Sequence, residues 1–113
     1  MKVIRGAICA ENNTQSISQN SVLLVEKILA ANCLEVCDVE CVFFSATPDL
    51  TACYPAAAVR KQLLPNASFM CFSEMRVEAS MPKVIRVAVF VNKDIVPKHC
   101  YVGEACALRP DLK

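Results

Sequence analysis

Histidine occurs once in this 113-residue chain, at His99, and tryptophan not at all. A single imidazole excludes zinc sites built on histidine pairs. With aromatics at 6% of the sequence, no stacking platform for single-stranded nucleic acid is expected. An excess of one charge is also missing, because 12 Lys plus Arg face 11 Asp plus Glu. That balance excludes a general electrostatic grip on nucleic acid or an anionic membrane. No apolar run approaches the roughly 20 residues a spanning helix needs. Lys2 and Arg5 interrupt the first apolar stretch and no small-residue cleavage site follows, so no signal peptide is expected. Linkers, repeats and low-complexity segments are lacking too, and residues 1–113 read as one domain of a cytoplasmic protein.

What the chain has in excess is apolar surface. A content of 55% apolar against 20% charged residues is more than one small monomer can hide, which points to contact with another subunit. Eight cysteines raise the possibility of disulfides or a metal. In a reducing compartment scattered thiols act as small buried hydrophobes, and Cys33, Cys37 and Cys41, four apart, are followed by no second ligand pair. No metal and no cofactor are expected.

Residues Lys2 to Glu11 alternate in the manner of a strand, closed by the polar Asn12-Asn13-Thr14. Asn13 or Thr14 offers an N-cap to a helix carrying Ile17, Ser21, Leu24, Ile28 and Ala31 at helical spacing, with Asn32 as C-cap. Val22, Leu23, Val25 and Leu29 widen its apolar surface, as on a helix packed against a sheet with one flank near a neighbour. Val39 to Ser45 reads as a buried strand ended by the turn at Thr47-Pro48-Asp49, and Pro55 opens a short helix to Leu64, stopped by Pro65. Phe69 to Met75 and Lys83 to Asn92 read as strands, and His99 to Leu108 as one or two shorter extended pieces. The class is α+β: a mixed β-sheet with one long and one short helix packed on it.

Four arginines sit where aliphatic residues are usual: Arg5 in Val3-Ile4-Arg5-Gly6-Ala7-Ile8, Arg86 in Val84-Ile85-Arg86-Val87-Ala88-Val89, Arg60 in the short helix, and Arg109 after Leu108. Burying a guanidinium costs several kcal/mol unless an anion replaces its water. Few internal carboxylate partners are obvious, so an anionic ligand is expected for some of them.

Six separated blocks then carry a resemblance: Ile4-Arg5-Gly6-Ala7; Ser45-Ala46-Thr47-Pro48-Asp49-Leu50; Tyr54-Pro55-Ala56 with Ala58-Val59-Arg60; Cys71 with Glu74-Met75; Ile85-Arg86-Val87; and Leu108-Arg109-Pro110-Asp111-Leu112. In order and spacing the chain resembles the AroH-class monofunctional chorismate mutases, from Ile4 to Leu112. The resemblance implies a pseudo-barrel homotrimer with an active site in each of three clefts between subunits. It also implies the rearrangement of chorismate to prephenate in aromatic amino-acid biosynthesis. That step is a pericyclic Claisen reaction and requires no nucleophile, metal or redox cofactor.

Matched position by position, Arg86 falls on the arginine beside the ether oxygen, where negative charge accumulates in the transition state. Arg5 falls on the arginine that holds a substrate carboxylate, with Tyr101 as its hydroxyl-bearing companion. Cys71 and Glu74 match the pair that hydrogen-bonds the ring hydroxyl, and Arg60 matches a basic residue at the cleft mouth. Met70, Phe72 and Ser73 line the pocket with them, and Tyr54, Ala56 and Leu108 add apolar wall. Residues three apart on a regular strand point to opposite faces, so Cys71 and Glu74 can share a ligand only if the strand ends or bulges near Ser73.

Each residue also has an ordinary reading by itself. Arg86 could pair with a core carboxylate, Cys71 could be a core thiol, Glu74 a solvated strand-end acid, and Gly6 a simple bulge. Departures from the family pattern are Ala57, where many members carry a lysine, Tyr54 in place of phenylalanine, and Ala79-Ser80-Met81 where relatives place glycines. A shorter tail after Leu112 is a further departure, and weaker binding is the expected consequence. A trimeric small-molecule binding protein of the same architecture with little turnover is the alternative reading.

Overall fold

Period-two alternation becomes five strands in a computed structural model, which describes residues 1–112 and leaves Lys113 outside. In chain order the elements are β1 (Lys2–Cys9), α1 (Thr14–Ala31), β2 (Val39–Ala46), α2 (Pro55–Gln62), β3 (Ser68–Ser73), β4 (Val84–Val91) and β5 (Cys100–Tyr101). The sheet order is β3-β2-β4-β1-β5. Strand β4 runs antiparallel to both β1 and β2, whereas β3 lies parallel to β2 and β5 parallel to β1, so the sheet is mixed.

Alternation gives the sheet two unlike faces. Ile4, Ile8, Val42, Phe44, Ile85, Val87, Val89 and Val91 are buried in one core with Ile17, Leu24, Val25 and Ile28 of α1 and Val59 of α2. Each such side chain contributes about 1.5–3 kcal/mol by leaving water. The intervening residues fall on the other face, where Ala7 and Val84 are buried with Ala105, and Arg5, Phe43, Ser45, Met70, Phe72, Arg86 and Phe90 stay at least partly exposed. There Phe43 meets Phe72 and Phe90 edge to face, with ring centroids 5.6 and 5.1 Å apart.

The ends of the elements are fixed by short polar contacts. Asn13 caps α1, its Oδ1 accepting from the Ser16 N–H at 2.7 Å. Thr47 closes a two-bond ring with Val84: the Thr47 N–H donates to the Val84 carbonyl at 3.0 Å, and the Val84 N–H donates to Thr47 Oγ1 at 3.0 Å. Asp49 Oδ2 accepts from the Lys83 N–H at 2.9 Å. The Thr47-Pro48-Asp49 turn therefore pins the start of β4 just before Arg86.

Several expectations change. Strand β1 ends at Cys9 rather than Glu11, because the chain turns at Glu11–Asn13, where the Asn13 N–H bonds the Glu11 carbonyl. Helix α2 ends at Gln62, since the N–H groups of Leu63 and Leu64 both fold back onto the Val59 carbonyl. Of the segment His99–Leu108 only Cys100–Tyr101 is strand; Gly103, at φ 59°, breaks it, and Gly103–Leu108 forms a 3₁₀ helix that buries Ala105. A further 3₁₀ turn at Val36–Asp38 has no counterpart in the periodicity reading. The guanidiniums are not buried within one chain: Arg5 and Arg60 are exposed, and Arg86 and Arg109 are half-buried. The reason for Arg5 and Arg86 is the sheet's two-faced alternation, which assigns them to the side away from α1 and α2. Among the described residues no helix is long and apolar enough to cross a membrane.

Candidate active site

Pairing across the sheet aligns one row of residues over all five strands. Phe72 lies opposite Ser45, Ser45 opposite Arg86, Arg86 opposite Ala7, and Ala7 opposite Tyr101. The neighbouring row brings Met70, Phe43, Ala88 and Arg5 together in the same way. In-register residues project to the same face. The result is a cleft of about 300 Å³ on the open face, lined among others by Arg5, Phe43, Ser45, Phe72, Arg86 and Tyr101.

Glu74 follows the last residue of β3 and keeps its N–H on the ladder, donating to the Ala46 carbonyl at 2.8 Å. Its carboxylate lies beside the cleft, where Oε1 accepts from Arg86 Nε at 2.6 Å and from Ser45 Oγ at 3.5 Å. A charge-assisted bond of that length fixes the guanidinium plane. The pair is partly shielded, with side chains 41% exposed for Arg86 and 17% for Glu74. Among the described residues the terminal nitrogens of Arg86 have no hydrogen-bond partner, so they remain available to a ligand oxygen.

Tyr101 reaches the cleft because β5 lies in register on β1 for two residues. Beside it, His99 Nδ1 accepts from the Arg5 N–H at 2.9 Å, fixing the backbone from which the Arg5 side chain extends. Burial, then the charges of Arg5 and Arg109, hold the His99 imidazole below its usual pKa. The neutral ring with a free Nδ1 lone pair is the form this bond requires. Arg109 is held by its own neighbour, Nε and one terminal nitrogen donating to the two oxygens of Asp111 at 3.2 and 2.9 Å.

Other residues named from sequence line two further depressions beside β3. Tyr54, Ala56, Ala57, Arg60, Met70 and Cys71 line a separate depression of about 340 Å³ between α2 and β3. A larger one of about 530 Å³ joins Cys71, Phe72 and Ser73 to Tyr54 and the Thr47–Cys53 loop. Strand β3 does end at Ser73, but Cys71 packs against the core side while Glu74 faces Arg86, so the two side chains do not converge within one chain. Burial raises the Cys71 thiol pKa, opposed in part by a hydrogen bond with the Ala56 backbone, and leaves a neutral thiol rather than a nucleophile. Leu108, the last residue of the 3₁₀ helix, packs with Tyr101 against Ala7, Val84 and Ala105.

Sequence reasoning did not single out Ser45, Phe43, Ala88 or His99 as site residues. Ser45 stood within a quoted block and alternates in phase with Phe43, but only pairing to β4 shows that Ser45 lies opposite Arg86 with Phe43 on the same face. Among the described residues no three His, Cys, Asp or Glu side chains are clustered to hold a metal.

Fold and cleft define a small α+β protein in which Glu74 holds the Arg86 guanidinium at the edge of an open cleft. The chain belongs to the chorismate mutase type I family, whose model matches residues 1–112. It is 37% identical over 115 residues to chorismate mutase AroH of Thermus thermophilus, covering 97% of this chain and 94% of that protein. To chorismate mutase AroH of Bacillus subtilis (strain 168) it is 39% identical over 117 residues, covering 96% and 90%. A solved chorismate mutase from Clostridium thermocellum superposes with a TM-score of 0.91 at 32% identity, covering 95% of this chain and 99% of that one.

Proposed function

We propose that this chain converts chorismate to prephenate, in a cleft that a neighbouring copy of the chain completes. The reaction breaks one carbon–oxygen bond and forms one carbon–carbon bond in a single cyclic step. No proton changes hands. A protein can accelerate such a step by selecting the compact conformer of a flexible dianion and by stabilising the charge that grows on the ether oxygen.

The observation that carries this reading is the Arg86–Glu74 pair at 2.6 Å, set beside Arg5 and Tyr101 on one open face. Glu74 holds Arg86 by Nε, leaving the terminal nitrogens to meet the ether oxygen. Preorganisation of this kind acts without reorganising at the moment of reaction. Arg5 and Tyr101 take a carboxylate at the other end of the cleft. Glu74 is also placed to accept from the ring hydroxyl.

Charge supports a site shared between copies. Within one chain the cleft holds Arg5 and Arg86 against Glu74, one net positive charge facing a substrate with two carboxylates. Arg60 lies exposed on α2, beside Tyr54, Met70 and Cys71, and could supply the missing cation to a neighbour's cleft. A contact between two different patches of the same chain is heterologous and closes into a ring when the rotation allows. Apolar surface supports the same arrangement: Met70 is 54% and Phe72 47% exposed on the face away from α1 and α2. The homotrimeric pseudo-barrel is thus the assembly we assign, with residues 1–113 as one unit. We place it in the cytoplasm, where its eight cysteines, all free, stay reduced.

The test is loss of the chorismate diene absorbance. Arg86→Ala is expected to lower kcat about 10²–10³-fold while the trimer persists, and Arg86→Lys to restore little, because a point ammonium lacks the planar fork. An Arg86→Ala protein with unchanged kcat overturns the reading.

A further inference from the structure

Strand β5 carries Tyr101, yet it is only two residues long and pairs with β1 alone. Two ladder pairs at a sheet edge do not by themselves fix a strand. Its neighbours add an N–H from Val102 to the Ala7 carbonyl at 2.9 Å and the His99 imidazole on the Arg5 N–H. The segment leading into β5, from Asn92 to Lys98, has no regular structure of its own.

A further hold on that segment comes from a residue far away in sequence. Asn32, the C-cap of α1, is 7% exposed. Its Oδ1 accepts from the Lys98 N–H at 2.7 Å and its Nδ2 donates to the Lys98 carbonyl at 3.0 Å. The second Nδ2 hydrogen goes to the Ile28 carbonyl at 2.8 Å. A side-chain amide offers the same donor and acceptor as a peptide group, so Asn32 bonds Lys98 as a neighbouring strand would. Every polar hydrogen of this buried amide is used.

We infer that Asn32 is a positioning residue for substrate binding, acting through Lys98 on the adjoining His99 and Tyr101, and through His99 on Arg5. This inference rests on the proposed role of Arg5 and Tyr101 in holding a substrate carboxylate. Aspartate at this position has the same shape but no donor, and would set a carboxylate oxygen against two carbonyls, those of Ile28 and Lys98. Alanine leaves the Lys98 amide to water and lets β5 drift from β1. Either change disturbs the carboxylate end of the cleft and leaves the Arg86–Glu74 end in place. Binding should therefore suffer more than turnover.

The experiment compares Asn32→Asp and Asn32→Ala with wild type as assembled enzymes. KM for chorismate is expected to rise about tenfold with kcat within about twofold, the size of one lost oriented hydrogen bond acting in ground and transition states alike. A residue needed only for folding would lower the melting temperature without this split. In a Tyr101→Phe background the KM effect of Asn32→Ala should shrink, since the route through Tyr101 is already cut and only that through His99 and Arg5 remains. An assembled Asn32→Ala enzyme with unchanged KM, or an undiminished effect in that background, overturns the inference. Should neither variant assemble, amide exchange in wild type decides: a Lys98 N–H exchanging as fast as a free peptide also overturns it, and strong protection supports it. If Tyr101→Phe alone leaves KM unchanged, the assigned role of Tyr101 fails and the inference falls with it. That result is distinct from failure at Asn32 alone.

Discussion

Replacing Gly6 with alanine adds one methyl group where β1 meets β5 and α1 at close range. A Cβ built there would lie 2.6 Å from the Cys100 carbonyl oxygen and 3.1 Å from the terminal methyls of Ile28 and Leu24. The two side-chain ends can rotate aside. The carbonyl cannot, because it belongs to β5, and Cys100 is the residue paired with Gly6. Carbon–oxygen contacts of this type settle at about 3.3 Å or more, so β5 must retreat by roughly 0.7 Å. Overpacking of this kind costs about 1–3 kcal/mol, whereas the entropy alanine removes from the unfolded chain returns only about 0.4–1 kcal/mol. The clash wins. With each kcal/mol worth about 4–8 °C in a domain near this size, the melting temperature should fall by several degrees at fixed protein concentration. Because Tyr101 rides on β5 and Arg5 adjoins Gly6, KM for chorismate should rise as well. Thermal melts and steady-state kinetics on Gly6→Ala check both. A variant that melts within about 1 °C of wild type with unchanged KM would refute the claim that Gly6 is there for close approach.

Two other perturbations follow from the same geometry. The His99 pKa is depressed in the fold, so its contribution to stability is complete above the unfolded value near 6.5 and is lost as pH falls through the folded value. Around it stand Arg5, Arg109 with Asp111, Tyr101, and Lys27 of α1. Urea midpoints at about pH 7.5 and about pH 5 should therefore differ less for His99→Gln, which keeps an acceptor but cannot titrate, than for wild type. Equal slopes would show that the imidazole is not the titrating group. At the α2 patch, Ala57→Lys places a cation in the depression that holds Arg60, and should lower KM severalfold at low salt, an advantage that fades as ionic strength rises. A KM that does not respond would remove α2 from the substrate's surroundings.

Much of the framework was legible from residue order. Asn13 and Asn32 bracket α1 because short polar side chains satisfy the orphaned ends of a helix, a local matter. Pro55 at the start of α2 and the Thr47-Pro48-Asp49 turn are equally local. The extended reading of residues 103–108 failed for a reason the pattern conceals. Ala105 is buried by packing onto Ala7 and Val84, residues far away in sequence, and tertiary contact overrode the local run of apolar residues.

Sequence alone supplied the chemical parts of the candidate site: guanidiniums at positions 5, 60 and 86, a carboxylate at 74 and a phenol at 101, in an order that resembles one family. Only the fold decided which of them meet. Register across four strand pairings brings Phe72, Ser45, Arg86 and Tyr101 into one row and leaves Cys71 on the opposite face from Glu74. A one-residue slip in any pairing would reverse that assignment, and the spacing of residues along a chain holds no information about its neighbour's register. The burial of the arginines is the clearest case. Composition gave the guanidiniums apolar neighbours along the chain, and alternation across a sheet covered on one side put those neighbours beneath the helices and the charges on the open face.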